Sequence, residues 1–153
     1  MKRYLVLSAI MTIAGSAALH AQGAGVSLPP EQIVAMRKSM MDLQQGVMAA
    51  MKAGVDAKTD VKPFLPGAKG LVSSSKVIPS MFPAGTEKAG DTKALPAIWS
   101  DQADFAKDAQ SLTAEAEKLV ALADADDKAG FATQFAAVGK ACGACHRQYK
   151  EKD

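Results

Sequence analysis

Aromatic residues, cysteine and histidine are all scarce in this 153-residue chain: aromatics make up 5% of it, and it has two cysteines and two histidines. Alternating runs rich in Val, Ile, Thr and Tyr are also missing, so a strand-based architecture lacks its usual material. A structural zinc site takes four ligands, drawn as a rule from two separated Cys/His pairs. Here the only histidine besides His146 is His20, which falls in an N-terminal segment read below as removed, so no second pair exists. No stripe of basic residues interleaved with aromatics appears, and nucleic acid is not an expected partner. No nucleophile, acid/base pair or substrate motif stands out either, and the chain is not read as an enzyme.

What the chain has in quantity is helix-forming material. It is 48% hydrophobic, rich in Ala and Met, and long enough for one domain with a real core. The class is all-α. Lys2 and Arg3 precede an apolar run from Tyr4 to Leu19, and Leu19-His20-Ala21 ends on a small residue, the pattern of a signal peptide over 1–21 cut after Ala21. A membrane anchor is the alternative, but the run is short for a span of about 20 residues and contains Thr12, Gly15 and Ser16. Loss of Lys2 and Arg3 takes the 18 basic residues to 16, equal to the 16 acidic ones, so the mature domain 22–153 is close to neutral.

Along that domain, Pro29-Pro30 predicts a helix start. Ile33, Met36, Met40, Leu43, Val47 and Met51 then step by three and four, with Val34, Met41 and Met48 beside them. Most of these methionines read as core filler. A loop is expected from Ala53 to Leu65, and a second, weaker helix from about Pro66 to Ile78, with Leu71, Val72, Ser75 and Ile78 inward and Pro79 as its stop. The segment Met81 to Leu95 reads as a long loop, of the kind that covers something or carries function. A third helix from about Pro96 has the clearest period, with Ile98, Phe105, Ala109, Leu112, Ala116, Leu119 and Ala123 on one face. Asp124, Asp126 and Asp127 turn the chain into a fourth helix with the stripe Phe131, Phe135, Val138, Cys142, Cys145 and Tyr149.

The chemistry lies on that last helix, in Cys142-Gly143-Ala144-Cys145-His146. Positions i, i+3 and i+4 share one helical face, so two thiols and an imidazole point the same way. C-x-x-C-H is the attachment pattern of c-type haem, with Cys142 and Cys145 as thioether anchors and His146 as proximal iron ligand. A thioredoxin-like pair would sit where a strand enters a helix, and no strand pattern precedes Cys142. A chance occurrence of the pentad in an exported helix is the remaining alternative. If the thiols carry haem, the attachment face is also the core face, and the haem lies among the helices.

The mature chain resembles the class II c-type cytochromes, the four-helix-bundle family of cytochrome c′ and its low-spin relatives. Pro96-Ala97-Ile98-Trp99 resembles the family's P-x-I-W motif, Gly139 to His146 its haem-attachment helix, and Arg37 with Met41 its first-helix motif. The resemblance implies an antiparallel four-helix bundle around one covalent haem c, held on the last helix and roofed by the first, in the periplasm. It implies that Arg37 pairs with a haem propionate, which a guanidinium can hold bidentately. The alternative for Arg37 is a solvated surface charge. Lys38 stands where the family often has Gln, and Lys150 where it commonly has Arg four residues past the haem His. Phe82 and Trp99 read as packing groups. Met41 falls where a family residue either ligates the iron or merely blocks it. Two functions follow: an electron carrier with Met41 and His146 on a six-coordinate iron, serving redox partner proteins, or a five-coordinate haem protein binding small gases such as nitric oxide or carbon monoxide. A haem peroxidase lacks a nameable distal His or Arg pair. Homodimers through the first two helices are a further implication of the family.

Overall fold

The computed structural model describes residues 28–152, so the signal-peptide reading of residues 1–21 lies outside the described residues. Four long helices form an antiparallel bundle: α1 (Pro30–Asp56), α2 (Leu65–Val77), α4 (Gln102–Asp124) and α5 (Lys128–Tyr149), with a single-turn α3 (Ala97–Ser100) ahead of α4. Going round the bundle, α1 adjoins α2, α2 adjoins α4, α4 adjoins α5 and α5 adjoins α1, which leaves α1 diagonal to α4. Packing is densest where α4 meets α2 and α5, and α1 stands off from both its neighbours by comparison.

The α4 stripe explains the dense half. Phe105, Ala109, Leu112, Ala116, Leu119 and Ala123 are all buried, and the small Ala109, Ala116 and Ala123 let neighbouring helices come close. Hydroxyl and amide groups finish the contacts. Ser75 and Thr113 share a 2.8 Å hydrogen bond between α2 and α4, and the Gln134 side-chain amide donates to the Glu115 carbonyl at 2.9 Å between α5 and α4.

Two boundaries and one helix face differ from the sequence reading. First, α1 continues past Ala53 to Asp56. Gly54 is an interior glycine whose Cβ would collide with the Phe64 ring, so the cost of glycine in a helix is set against that ring's close approach. Second, the third helix is interrupted at Asp101, whose backbone (φ −140°, ψ 71°) is not helical and whose carboxylate accepts from the Asp104 amide at 3.1 Å. An N-cap restarts the helix where periodicity alone showed no break. Third, the apolar face of α1 is rotated. Met36 is 51% and Leu43 73% exposed, whereas Val34, Arg37 and Met51 are buried and Met41, Gln44, Val47 and Met48 half-buried. Apolar residues occur on more than one side of α1, and the true inward face includes a cation that no hydrophobic count would choose.

The acidic turn behaves as expected in two parts. Asp127 caps α5 by accepting from the Gly130 amide at 2.9 Å, while Asp126, at φ 54°, accepts from the amides of Val61 and Lys62 at 2.7 and 2.9 Å. The turn between α4 and α5 is thereby fastened to the connection between α1 and α2. Pro66 lies in the first turn of α2, Ile78 is buried just past its end, and Pro79 opens a 3-10 turn to Met81.

Candidate haem site

On α5, the side chains of Cys142 and Cys145 are half-buried against the hydrophobic core, and His146 is exposed one position on. The helix brings the three together on one flank, as the spacing requires. Both thiols are free. Burial raises the Cys142 pKa, and burial with the nearby charges of Asp108 and Cys142 pushes Cys145 up to about 11. At neutral pH both groups are therefore thiols, not thiolates. Partial desolvation on α5 and, secondarily, the charge of Lys150 lower the His146 pKa, so the imidazole keeps a lone pair to offer a metal.

The surroundings fit a flat macrocycle better than a bare ion. Gly139 lies seven residues before His146 and so on nearly the same side of α5, and a Cβ there would meet nothing within 4 Å. Thiols half-buried in apolar packing, an accessible imidazole beside them and a loosely packed α1 adjoining α5 are together what a covalently anchored haem requires. Met41 is half-buried and packs on the same core cluster as Cys142 and Cys145.

Arg37 is not the solvated charge considered as its alternative. It is 3% exposed, and its two terminal nitrogens donate to the Thr86 hydroxyl (3.0 Å), the Thr86 carbonyl (3.3 Å), the Thr92 hydroxyl (2.6 Å) and the Met81 carbonyl (3.4 Å). The guanidinium lies over Phe82, 4.4 Å from the ring centre, and within 5.8 Å of the Trp99 ring. Its pKa is lowered by burial against an opposing contribution from Glu87, but a guanidinium stays charged in proteins. Lys38, next in sequence, pairs with Asp91 across the surface. Lys150 forms an antiparallel bridge with Ala94. Phe82 and Trp99 are packing groups: their rings meet edge-on at 5.9 Å, and the Trp99 indole donates to the Pro83 carbonyl at 3.2 Å. Sequence reasoning missed Thr86 and Thr92, which sit in an aperiodic loop and acquire meaning only through a cation about fifty residues away.

Comparison with known proteins agrees with this geometry. Residues 32–150 match the family described as cytochrome c′. The chain is 33% identical to a cytochrome c′ of Rhodopseudomonas palustris over 147 residues, covering 94% of this chain and 96% of that protein. It is also 33% identical to cytochrome c-556 of Agrobacterium tumefaciens over 121 residues, 78% of this chain and 97% of the relative. Among solved structures, a nitric oxide complex of a cytochrome c prime variant from Alcaligenes xylosoxidans superposes with a TM-score of 0.75 at 30% identity, over 83% of this chain and 99% of the other. The chain belongs to the cytochrome c′ family of class II c-type cytochromes, and its cofactor is one covalently attached haem c.

Proposed function

We propose that the protein is a periplasmic electron carrier and not an enzyme, with Cys142 and Cys145 supplying the thioether sulfurs, His146 the proximal ligand and Met41 the sixth ligand of a closed haem iron. The haem supplies a one-electron couple when bound. The chain's part is to hold it: α5 fixes both sulfurs and the imidazole on one flank, with the sulfurs against the hydrophobic core. The observation that carries the reading is Met41, a thioether half-buried on the inward face of α1 against the same core cluster as both cysteines. A Met sulfur ligand together with His would raise the potential of a c-type iron and close it to outside ligands, as electron transfer favours.

Arg37 is the proposed partner of a haem propionate. Its guanidinium bonds hydroxyls and carbonyls and lies on ring faces, with Glu87 acting on it through charge alone, so a carboxylate reaching it would supply a direct ionic partner. The periplasm is supported by the N-terminal address in the sequence. No described helix is long and apolar enough to cross a membrane. Redox partner proteins and a second copy of the chain are the expected partners, the latter through the outward stripe of Met36 and Leu43 on α1.

Gas binding is the second reading, favoured by one observation: the structurally similar Alcaligenes protein was captured as a nitric oxide complex. The optical spectrum of the oxidised holoprotein separates the two. A low-spin spectrum with the weak long-wavelength band of Met sulfur, lost in Met41→Ala, supports the carrier. A high-spin spectrum in the unmutated protein, with rapid uptake of carbon monoxide or nitric oxide on reduction, supports the gas binder.

A further inference from the structure

The loop between α2 and α3 is fastened at both ends, to α1 at one and to the end of α5 at the other. At one end is Arg37. A buried guanidinium is stable only if its donors are matched, and the four matching acceptors come from Met81, Thr86 and Thr92, all in one stretch of chain. The stretch is shaped for this. Gly85, at φ 88°, allows a tight return after Pro83, and Thr86 closes it by donating its amide (3.3 Å) and hydroxyl (2.8 Å) to the Pro83 carbonyl. The Thr86 hydroxyl oxygen is thereby oriented to accept from Arg37.

At the other end is the C-terminus of α5. The Leu95 amide donates to the Tyr149 carbonyl and the Glu151 amide to the Lys93 carbonyl, each at 2.9 Å, flanking the Ala94–Lys150 bridge. These residues lie three to five positions after His146, whose own carbonyl accepts from the Lys150 amide at 3.1 Å. Thr92 joins the two fastenings, because its hydroxyl oxygen accepts from both Arg37 (2.6 Å) and the Ala94 amide (3.2 Å). A second route runs through rings: Arg37 on Phe82, Phe82 against Phe105 at 5.0 Å, and Phe105 against Tyr149 at 5.0 Å.

We propose that Arg37, Thr86 and Thr92 form a clamp that holds residues 82–95 as a strap from α1 to the end of α5, making the two threonines positioning residues for His146. The proposal rests on His146 being the haem ligand. Neither hydroxyl ligates iron or bonds haem; each acts through the strap. Loosening the clamp frees the pairing at Tyr149 and Glu151, and with it the last turn that steadies the imidazole.

The test uses the holoprotein and is read in two ways. Haem staining of the unmutated protein after denaturing electrophoresis comes first: without covalent haem, the haem reading fails and the proposal falls with it. With haem present, Thr92→Val, which keeps the shape but removes the acceptor, is expected to speed hydrogen exchange at the Leu95 and Glu151 amides by roughly ten- to a hundredfold, the range for a buried donor left unmatched. The reduction potential of the haem should shift in the same variant, and Thr92→Ser should restore both. Unchanged exchange at Leu95 and Glu151, or faster exchange with an unaltered reduction potential, overturns the clamp and leaves the haem assignment standing. If Thr92→Val does not accumulate, native-state exchange of the unmutated holoprotein decides. Thr86, Leu95 and Glu151 must then open as one unit with a common denaturant dependence, and separate openings overturn the proposal.

Discussion

The guanidinium of Arg37 stacks on the ring of Phe82, 4.4 Å from its centre, at a site where the arginine is 3% exposed. Such a charge is tolerated because every contact is favourable to a cation: the face of an aromatic ring, two hydroxyls and two carbonyls. Arg37→Ala removes the stem packing and leaves those acceptors unmatched, and should cost about 2–4 kcal/mol in chemical denaturation of the holoprotein. Arg37→Lys should recover only part of this, since one ammonium cannot span Thr86 and Thr92 as a planar fork does.

The attachment chemistry predicts graded loss of covalent haem. Cys142→Ala with Cys145→Ala should abolish haem staining after denaturing electrophoresis. Each single variant leaves one thiol and should retain a weaker stain, because one thioether can still tether the group. Retained staining in the double variant would refute the assignment of both anchors.

How far the sequence carried depends on which force set each element. On α4, burial of one stripe decided everything, and Phe105, Ala109, Leu112, Ala116, Leu119 and Ala123 were legible from spacing alone. The shared flank of Cys142, Cys145 and His146 was legible from spacing too, since i, i+3 and i+4 fall on one side of a helix. On α1, apolar residues lie on more than one side, and the inward face is partly set by Arg37, a residue whose burial depends on acceptors supplied by a distant loop. Long-range hydrogen bonding leaves no periodic trace, which is why Thr86 and Thr92 were invisible. The break at Asp101 was missed because an N-cap can restart a helix without disturbing the phase of the stripe on either side.

The outward stripe on α1 makes an assembly prediction. Leu43, 73% exposed, and Met36, 51% exposed, are large apolar groups on a face that α2 and α5 leave open. Light scattering of the holoprotein should give the mass of a dimer. Leu43→Lys with Met36→Lys should give a folded monomer whose Tm falls only by the lost subunit contact, because exposed side chains contribute within about 0.5 kcal/mol to the subunit itself. A monomeric unmutated protein at micromolar concentration would refute the contact.

A pH dependence follows from Asp126, whose carboxylate accepts from the amides of Lys62 and Val61 and joins the two inter-helix turns. Those hydrogen bonds, in that order, and then the charges of Lys128 and Lys62 hold its pKa below the usual carboxylate value. A group whose folded pKa is depressed binds its proton more tightly in the unfolded chain. Its contribution to stability is complete above the unfolded value, near 3.9 for aspartate, and disappears as pH falls through the lower folded value. Asp126→Asn isolates this effect, because asparagine keeps an acceptor oxygen and tolerates the φ of 54° while losing the charge. In urea denaturation the variant should be less stable than the unmutated holoprotein at pH 7, and the gap should close as pH falls below the ordinary aspartate range. Asp91, Asp104 and Glu115 also have lowered pKa values, but they are common to both proteins and cancel in the difference. A gap that stays constant from pH 7 to the acid limit would mean that the carboxylate charge takes no part in fastening the turns together.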